Sequence, residues 1–572
     1  MSESGGTDLV DTQAPTIQPG VPVGPEGIRT SKARRWLAVA AWAVGGVSLA
    51  AIFLRISLGG RVNSDGANQA LQGWDLLHGH LLLHGWQMGD VNFYFLELPL
   101  NALTAAVSGL GNFSAHAASA LTYLLVTVCA VALAVTDSRG VARLVRCLVV
   151  VIVLAAPLLT PSSMWLVLEE PDHIGTSVFI LGSFLLIDLT TRPRGGSGAG
   201  GDGGRGAPHS GESSPSELAA SRGSEPARWW PALVLCVILC AGEFSDLTVR
   251  YVAVPAVVVV CGYRALAARR LRSQDATLVV AALLSVPLTV LMSAVMGWLG
   301  GFGRDAPGAR LVPVAMWPKH AEVTWTNLRD LFGTVDTPFT KLGSLGAAFA
   351  LACLLAAGFG VARVGWAWWR GRATRAEQLL AVAIVCNIGA DTIITLTRAV
   401  DPHEIAVVLP CGAVLAARAL VPARITNIFT ALVAVTATAF AAVLPLASAA
   451  TLPLNQAYVA PLTAWLEAHH LTYGLAQYWE ASASTLQSGG RIQILTVDLG
   501  KRALASVYEV NTSWYDPSLH DATFVVVNLY DKNTPPAAYE RSFGHPAATY
   551  HVSFYLVMVY RTNLLRLLPP VK

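Results

Sequence analysis

Trp36–Leu58 (WLAVAAWAVGGVSLAAIFLRISL) runs almost directly into Arg61–Pro99 (RVNSDGANQALQGWDLLHGHLLLHGWQMGDVNFYFLELP). The first stretch carries a single charge, Arg55, and as a helix is long enough to cross a hydrocarbon core about 30 Å thick. The second crowds Asp65, Asp75, Asp90, Glu97, His78, His80 and His84 into one loop, in a chain where only 13% of residues are charged. Between those acids Leu71, Trp74, Leu77 and Leu81 recur at helical spacing, which predicts an amphipathic helix lying along the membrane surface. A membrane helix followed by an acidic, aromatic-rich loop held at the membrane face sets the fold class. It also makes that loop a candidate active site.

The rest of the chain repeats the first signal. Of its 572 residues 53% are hydrophobic, and the mean hydropathy is +0.51. Apolar runs near 36–58, 115–135, 144–160, 174–190, 229–241, 251–266, 276–299, 343–362, 378–397, 403–420 and 425–447 predict an all-α polytopic membrane protein with about eleven transmembrane helices. The basic clusters fall at Arg29–Arg35, Arg139–Arg146, 191–228, Arg264–Arg272, Arg363–Arg375 and Arg418–Arg424. All of them lie on one side if the N-terminus is cytoplasmic, and the acidic clusters then fall outside. Residues 1–30 read as a disordered cytoplasmic tail and 31–190 as an N-terminal membrane module whose first outer loop is 59–99. The low-complexity segment 191–228 reads as a disordered cytoplasmic loop, and 229–447 as a second membrane module. After Ala447 the composition changes. Helical stretches near 455–470 and 475–487 alternate with β-rich runs at Arg491–Val497, Thr523–Tyr530 and Val552–Tyr560. These predict a small extracytoplasmic α/β domain over 448–572.

Several classes are unsupported. The net charge of +3 is segregated by membrane side, so it points to no nucleic-acid partner. The eight cysteines fall in or beside apolar runs without a Cys-x-x-Cys pair, which supports neither a disulfide framework nor a zinc site. There is no nucleotide-binding glycine motif and no internal repeat.

Asp65 stands in Asn63-Ser64-Asp65-Gly66, just beyond the first helix. There a carboxylate can act as general base on an acceptor hydroxyl, or simply form a turn or helix cap. Glu169, Glu170, Asp172 and His173 stand between two spans beside Trp165. They suit a solvated loop, an acceptor-binding wall, or hard oxygen ligands for a divalent cation. Arg398 precedes Asp401-Pro402-His403-Glu404 at the outer end of a helix, where a guanidinium can clamp a phosphate or snorkel beside Asp401. The long outer loop 300–342 adds Lys319 and Arg329. No metal ligand set is assigned.

The order of a cytoplasmic N-terminus, one helix and an acidic outer loop with a juxtamembrane helix resembles the GT-C superfamily of membrane glycosyltransferases. Its members include protein O-mannosyltransferases, the aminoarabinose transferases of lipid A, and the arabinosyl- and mannosyltransferases of actinobacterial envelopes. Arg398 with His403–Arg418 (HEIAVVLPCGAVLAAR), and the tail residues Tyr473–Ala476 and Gln477–Glu480, are similar to parts of that pattern. Members often carry paired acids in the first loop, whereas here Gly66 follows Asp65 and the next acid is Asp75. The resemblance implies inverting transfer of a sugar from a polyprenyl-phosphate donor to a glycan, lipid or protein acceptor on the outer face. Asp65 would be the catalytic base. Glu169, Glu170, Asp172 and His173 would face the acceptor, and Arg398, Lys319, Arg329 and His403 the donor phosphate. The competing readings are a lipid or polysaccharide transporter or flippase, and a non-catalytic envelope scaffold. The topology is directly testable. Reporter fusions at Gly204 should read cytoplasmic, and fusions at Arg310 and after Pro461 extracytoplasmic; a cytoplasmic tail would remove the acidic clusters from a common face.

Overall fold

The computed structural model describes residues 25–89, 91–169, 173–191, 229–269, 273–304, 310–335, 342–394, 401–455, 457–500 and 502–570. Asp90, Glu170, Asp172, Arg398, residues 1–24 of the expected tail and nearly all of the 191–228 loop lie outside them. The chain forms two compact units, residues 1–49 and 50–572. The first contributes most of α1 (Pro25–Ser57), which begins ahead of its expected start. In the second unit follow α2 (Ser64–Leu77), α3 (Glu97–Ser108), α4 (Asn112–Val135), α5 (Val141–Ala155), α6 (Thr176–Thr191) and α7 (Trp229–Ser245). Next come α8 (Thr248–Ala267), α9 (Gln274–Trp298), α10 (Trp317–Leu331), α11 (Ser344–Trp369), α12 (Arg375–Ile393), α13 (Val408–Leu420) and α14 (Ile428–Ala450).

Each of the eleven predicted spans falls on helix. Among the described residues eight are long and apolar enough to cross a membrane: Val39–Ser57, α4, α8, α9, α11, α12, Pro402–Leu420 and α14. The chain is a multi-pass membrane protein. The other three, α5, α6 and α7, have 15, 16 and 17 residues, or roughly 23–26 Å of helix, short of the full core. Local chemistry sets the ends. Thr374 and Glu377 form a capping box at α12, Ser273 accepts from the Ala276 N–H at α9, and Asn427 accepts from Phe429 and Thr430 at α14.

Arg146 and Arg418, two of the arginines used to sort the loops, are buried rather than solvated. Arg146 donates to the carbonyls of Ala134 and Val421 and to Asp137 Oδ1 at 2.6 Å. Arg418 donates to the Leu133 carbonyl and to Thr136 Oγ1, both at 2.6 Å. They satisfy carbonyls left open at the ends of α4 and α13, where a cation also meets the negative end of each helix.

The juxtamembrane helix differs from expectation. α2 ends at Leu77, so Leu81 falls beyond it, and Leu71 is buried. It packs against α3, α4 and a helix of the C-terminal region instead of lying free along the membrane surface. Gly73 permits the approach to α3, since a Cβ there would sit 2.6 Å from the Asn101 side chain and 2.9 Å from the Leu98 carbonyl.

The C-terminal region holds α15 (Ala460–Ala468), α16 (Tyr478–Gln487) and α17 (Pro536–Phe543) around a six-stranded sheet. Its strands are β3 (Tyr473–Ala476), β4 (Gln493–Leu499), β5 (Ala503–Ala505), β7 (Phe524–Asn528), β8 (Ala548–Val552) and β9 (Tyr555–Val559), ordered β5-β4-β3-β7-β9-β8. β3 pairs parallel with both β4 and β7, and the remaining pairs are antiparallel. α15 and α16 pack on one face through Leu462, Leu466 and Ala481, and α17 on the other through Tyr539 and Phe543. The helix expected from residue 475 starts instead at Tyr478, because Leu475 and Ala476 are the end of a central strand covered on both faces. A second sheet, in the order β2-β1-β6, joins β1 (Trp86–Met88), β2 (Gly303–Arg304) and β6 (Val510–Asn511).

Gly474 sits in β3 with the Phe524 ring where its side chain would be: a Cβ added there would lie 2.3–2.5 Å from the ring carbons. Gly474→Ala should therefore destabilise the C-terminal region by about 1–3 kcal/mol, and adding Phe524→Leu should recover part of the loss. Chemical unfolding of the full chain checks this, and equal midpoints for wild type and Gly474→Ala would refute the packing argument.

Candidate active site

Asn63 caps α2, its Oδ1 accepting from the Gly66 N–H at 3.0 Å, which places Asp65 in the first turn. A carboxylate there meets the positive end of the helix. Asn63 Nδ2 donates to Asp65 Oδ2 at 3.1 Å. The other oxygen, Oδ1, accepts the Tyr478 hydroxyl from the start of α16. The same hydroxyl lies 2.7 Å from Glu509 Oε2. Asn68, one turn further along α2, reaches both, at 3.4 Å from Tyr478 Oη and 3.3 Å from Glu509 Oε2. Ser64 Oγ donates to the Tyr478 carbonyl, clamping α2 to α16. Burial, with the Glu509 and Asp65 carboxylates beside it, drives the Tyr478 phenol well above its ordinary range, so it remains protonated.

Glu169 closes the other side. It ends a π-helical turn (Trp165–Glu169) that continues the short helix Pro161–Met164. Its Oε2 accepts from the Arg61 N–H at 2.8 Å, and its side chain fills the place of a Cβ on Gly60. Its carbonyl would lie 3.2 Å from a Cβ on Gly66, the residue after Asp65. Burial pushes the Glu169 carboxyl up to about 7, against the opposing pull of the Arg61 N–H and charge. It thus titrates near neutrality against the Gly60–Arg61 backbone.

The remaining predicted residues divide. His173 is buried, with Nδ1 2.8 Å from Asp246 Oδ2, and Thr176 Oγ1 and the Thr248 N–H also bind that carboxylate. Burial works to raise the Asp246 carboxyl, yet His173 and these donors hold it below its usual range. His403 is 9% exposed; its Nδ1 lies 3.2 Å from Asp401 Oδ1 and its ring 4.8 Å from that of Trp165. His403 Nε2 is buried without a hydrogen-bond partner among the described residues. The Asp401 carboxyl, its side chain 53% exposed, is also lowered, by His403 and then by His173 against partial desolvation. Asn327 on α10 receives the Asp401 N–H at 2.8 Å, which brings the helix bearing Lys319 and Arg329 alongside. Arg329 is partly buried near the end of α10, and Lys319 is exposed about two turns before Asn327. The π-helical turn links the two groups, with Trp165 against His403 and Glu169 against the start of α2. Among the described residues no three His, Cys, Asp or Glu side chains converge to hold a metal ion.

The nearest acid in sequence, Asp75, points elsewhere: Trp86 Nε1 donates to it at 2.7 Å. The second carboxylate close to Asp65 is Glu509, which sequence reasoning missed. Its one local signal is structural, a backbone φ of +47° that a non-glycine residue rarely adopts.

The helical bundle with its small C-terminal sheet has the GT-C fold. The solved structures that it resembles include ArnT, the aminoarabinose transferase, from Cupriavidus metallidurans. In the apo state the likeness has a TM-score of 0.52 at 14% identity, over 93% of this chain and 100% of that one. For ArnT bound to undecaprenyl phosphate it has a TM-score of 0.51 at 12% identity, over 93% and 99%. An oligosaccharyltransferase of Archaeoglobus fulgidus, tethered with an acceptor peptide, aligns at a TM-score of 0.42 and 12% identity, over 85% of this chain and 69% of that one. No family model and no curated protein matches the sequence.

The elevated Glu169 pKa has a stability consequence. A folded-state value near 7 against an ordinary 4.5 means the folded protein holds the proton more tightly. The stabilisation is full below about pH 4.5 and is lost as pH rises through 7. Wild type should lose stability on the order of 3 kcal/mol across that window relative to Glu169→Gln. Thermal unfolding of both proteins from about pH 4 to about pH 8 measures it, and parallel curves would refute the assignment.

Proposed function

We propose that the chain is a membrane glycosyltransferase that moves a sugar from a polyprenyl-phosphate donor to an acceptor on the extracytoplasmic face, with inversion at the anomeric carbon. The observation that carries this reading is the Asp65 carboxylate, held at the start of α2 between Asn63 and Tyr478. The likeness to ArnT bound to undecaprenyl phosphate supports the donor class. The acceptor oxygen attacks the anomeric carbon as the bond from that carbon to the phosphate oxygen breaks. The acceptor proton passes to Asp65, and the electron pair leaves with polyprenyl phosphate.

The Tyr478 hydroxyl has one hydrogen, which it donates to one carboxylate at a time. Donated to Asp65 it orients the base; turned to Glu509 it frees Asp65 Oδ1 to take the acceptor proton. Glu169 and His173, with Glu170 and Asp172, would line the acceptor side. His403, whose Nδ1 faces Asp401, has its Nε2 open for a phosphate oxygen, and Lys319, Arg329 and Arg398 would add positive charge as the phosphate departs. No observed contact favours a transporter or a scaffold over this reading.

Asp65→Asn keeps the size and most of the cap contacts but removes the base. Turnover from a lipid-linked donor, normalised to folded protein, should fall by roughly two to four orders of magnitude. Tyr478→Phe should cost roughly 10- to 100-fold, the worth of one hydrogen bond to a charged group, and should shift the pH profile. Asp75→Asn, whose carboxylate is turned to Trp86, should be milder than either. Equal activity in wild type and Asp65→Asn would sink the mechanism.

A further inference from the structure

A second group of polar side chains, unused by the Asp65 chemistry, lies beyond the carboxyl ends of β3 and β7. From β3 the chain passes through α16 to β4 on one side, and later returns to β7 on the other. The strand order therefore reverses between β3 and β7. In open α/β sheets such a reversal leaves a crevice outside the strand ends, where ligands bind. Gln477 follows β3 at this point and Asn528 ends β7.

The side chains there form a graded set. Asn528 Nδ2 donates to Glu480 Oε1 at 2.8 Å, and Glu480 is 4% exposed. Gln477 hydrogen-bonds Asp531 at the solvent edge. Trp479 and Tyr530 stand at the rim, 51% and 79% exposed, with the Tyr530 ring centroid 5.6 Å from that of Phe554. Tyr539 and Tyr555 are both fully buried, and their hydroxyls have no hydrogen-bond partner among the described residues. Both lie within electrostatic reach of Glu480. Tyr555 is also the cross-strand partner of Asn528, so the two side chains share a face. A buried hydroxyl left unpaired is costly, and a polar ligand or water beside Glu480 would pair that of Tyr555, on the α16 face of the sheet; Tyr539 lies on the other face.

We propose that this crevice is a saccharide subsite that holds the glycan part of the acceptor. A sugar ring offers hydroxyls that match a carboxylate, two amides and the Tyr555 phenol, and apolar C–H faces that match exposed Trp and Tyr rings. A nucleotide fits poorly: the Ala476–Glu480 turn has no glycine for close phosphate approach, and Glu480 in the first turn of α16 opposes an anion. The crevice lies near the proposed reaction centre. Tyr458, whose hydroxyl donates to the Trp479 carbonyl, lies within electrostatic reach of Glu480, Arg61 and Asp65 together. The assignment of the bound sugar as acceptor rests on the glycosyl-transfer reading; the binding site itself does not.

Saturation-transfer NMR on the purified full chain in detergent, with maltotriose, mannobiose, galactobiose and arabinobiose as probes, tests it. At least one saccharide should receive saturation. Tyr530→Ala and Glu480→Gln should each weaken that binding by roughly tenfold or more, while Asp65→Asn retains it. In transfer assays Tyr530→Ala should raise the acceptor KM by a similar factor with little change in kcat. Tyr530 is mostly exposed, so its variant keeps the test open if Glu480→Gln misfolds. No binding by any probe, or binding unchanged in both variants, overturns the proposal. Saccharide binding in a chain that transfers no sugar would uphold the crevice and refute the catalytic reading. Transfer with unchanged acceptor KM in Tyr530→Ala would do the reverse.

Discussion

One phenolic hydrogen sits between two carboxylates. Tyr478 Oη contacts Asp65 and Glu509 at once, and a single O–H cannot donate to both. With both acids ionised, one contact is a lone pair facing a charge in a site that is largely dry, where such repulsion is strongest. Relief comes from the Asn68 amide, which reaches Tyr478 and Glu509. The surrounding structure serves to bring these atoms together. The Asn63 cap fixes Asp65, the Ser64 clamp fixes α16 on α2, and the pairing of β6 with β1 fixes the residues next to Glu509.

The buried charges elsewhere follow a related logic. His173 meets Asp246, His403 meets Asp401, Arg250 meets Glu243, and Arg146 meets Asp137. Three of these pairs join residues close in sequence across a turn or helix end, and His173–Asp246 ties α6 to α7 and α8. Apolar helix faces distinguish poorly between a neighbouring helix and lipid, so polar contacts near helix ends are well suited to fixing which helices meet. Such pairs contribute more to arrangement than to net stability, because desolvation offsets much of their attraction.

What the sequence made legible was what lies close together along it. Sparse charge marked all eleven helical spans, and the crowding of acids marked the loop that carries Asp65. The arginines used to sort the loops also proved to cap helices, a role invisible without the carbonyls that they reach. Short-range reasoning failed where the third dimension decides. Tyr473–Ala476 is too short for periodicity to separate strand from helix, and its pairing with β4 and β7 settles the matter. α2 shows an amphipathic pattern whether its apolar side meets lipid or protein, so its burial against α16 could not be read. Glu509, reaching residue 68 across 441 positions, has no local mark at all. His78 and His84 hydrogen-bond the carbonyls of Trp74 and Gly300.

The small sheet β2-β1-β6 bears on how the molecule comes into being. It sews three distant parts of the chain into one seam: Trp86–Met88, Gly303–Arg304 and Val510–Asn511. During synthesis Asp65 and Asn68 leave the ribosome long before Glu509, which lies 441 positions beyond Asn68. A partly made chain therefore has the aspartate without the partners that set its proton. Under the proposed chemistry, competence would be deferred until the helices are inserted and the final seam is closed, and a product lacking Glu509 would be inert by construction rather than by quality control.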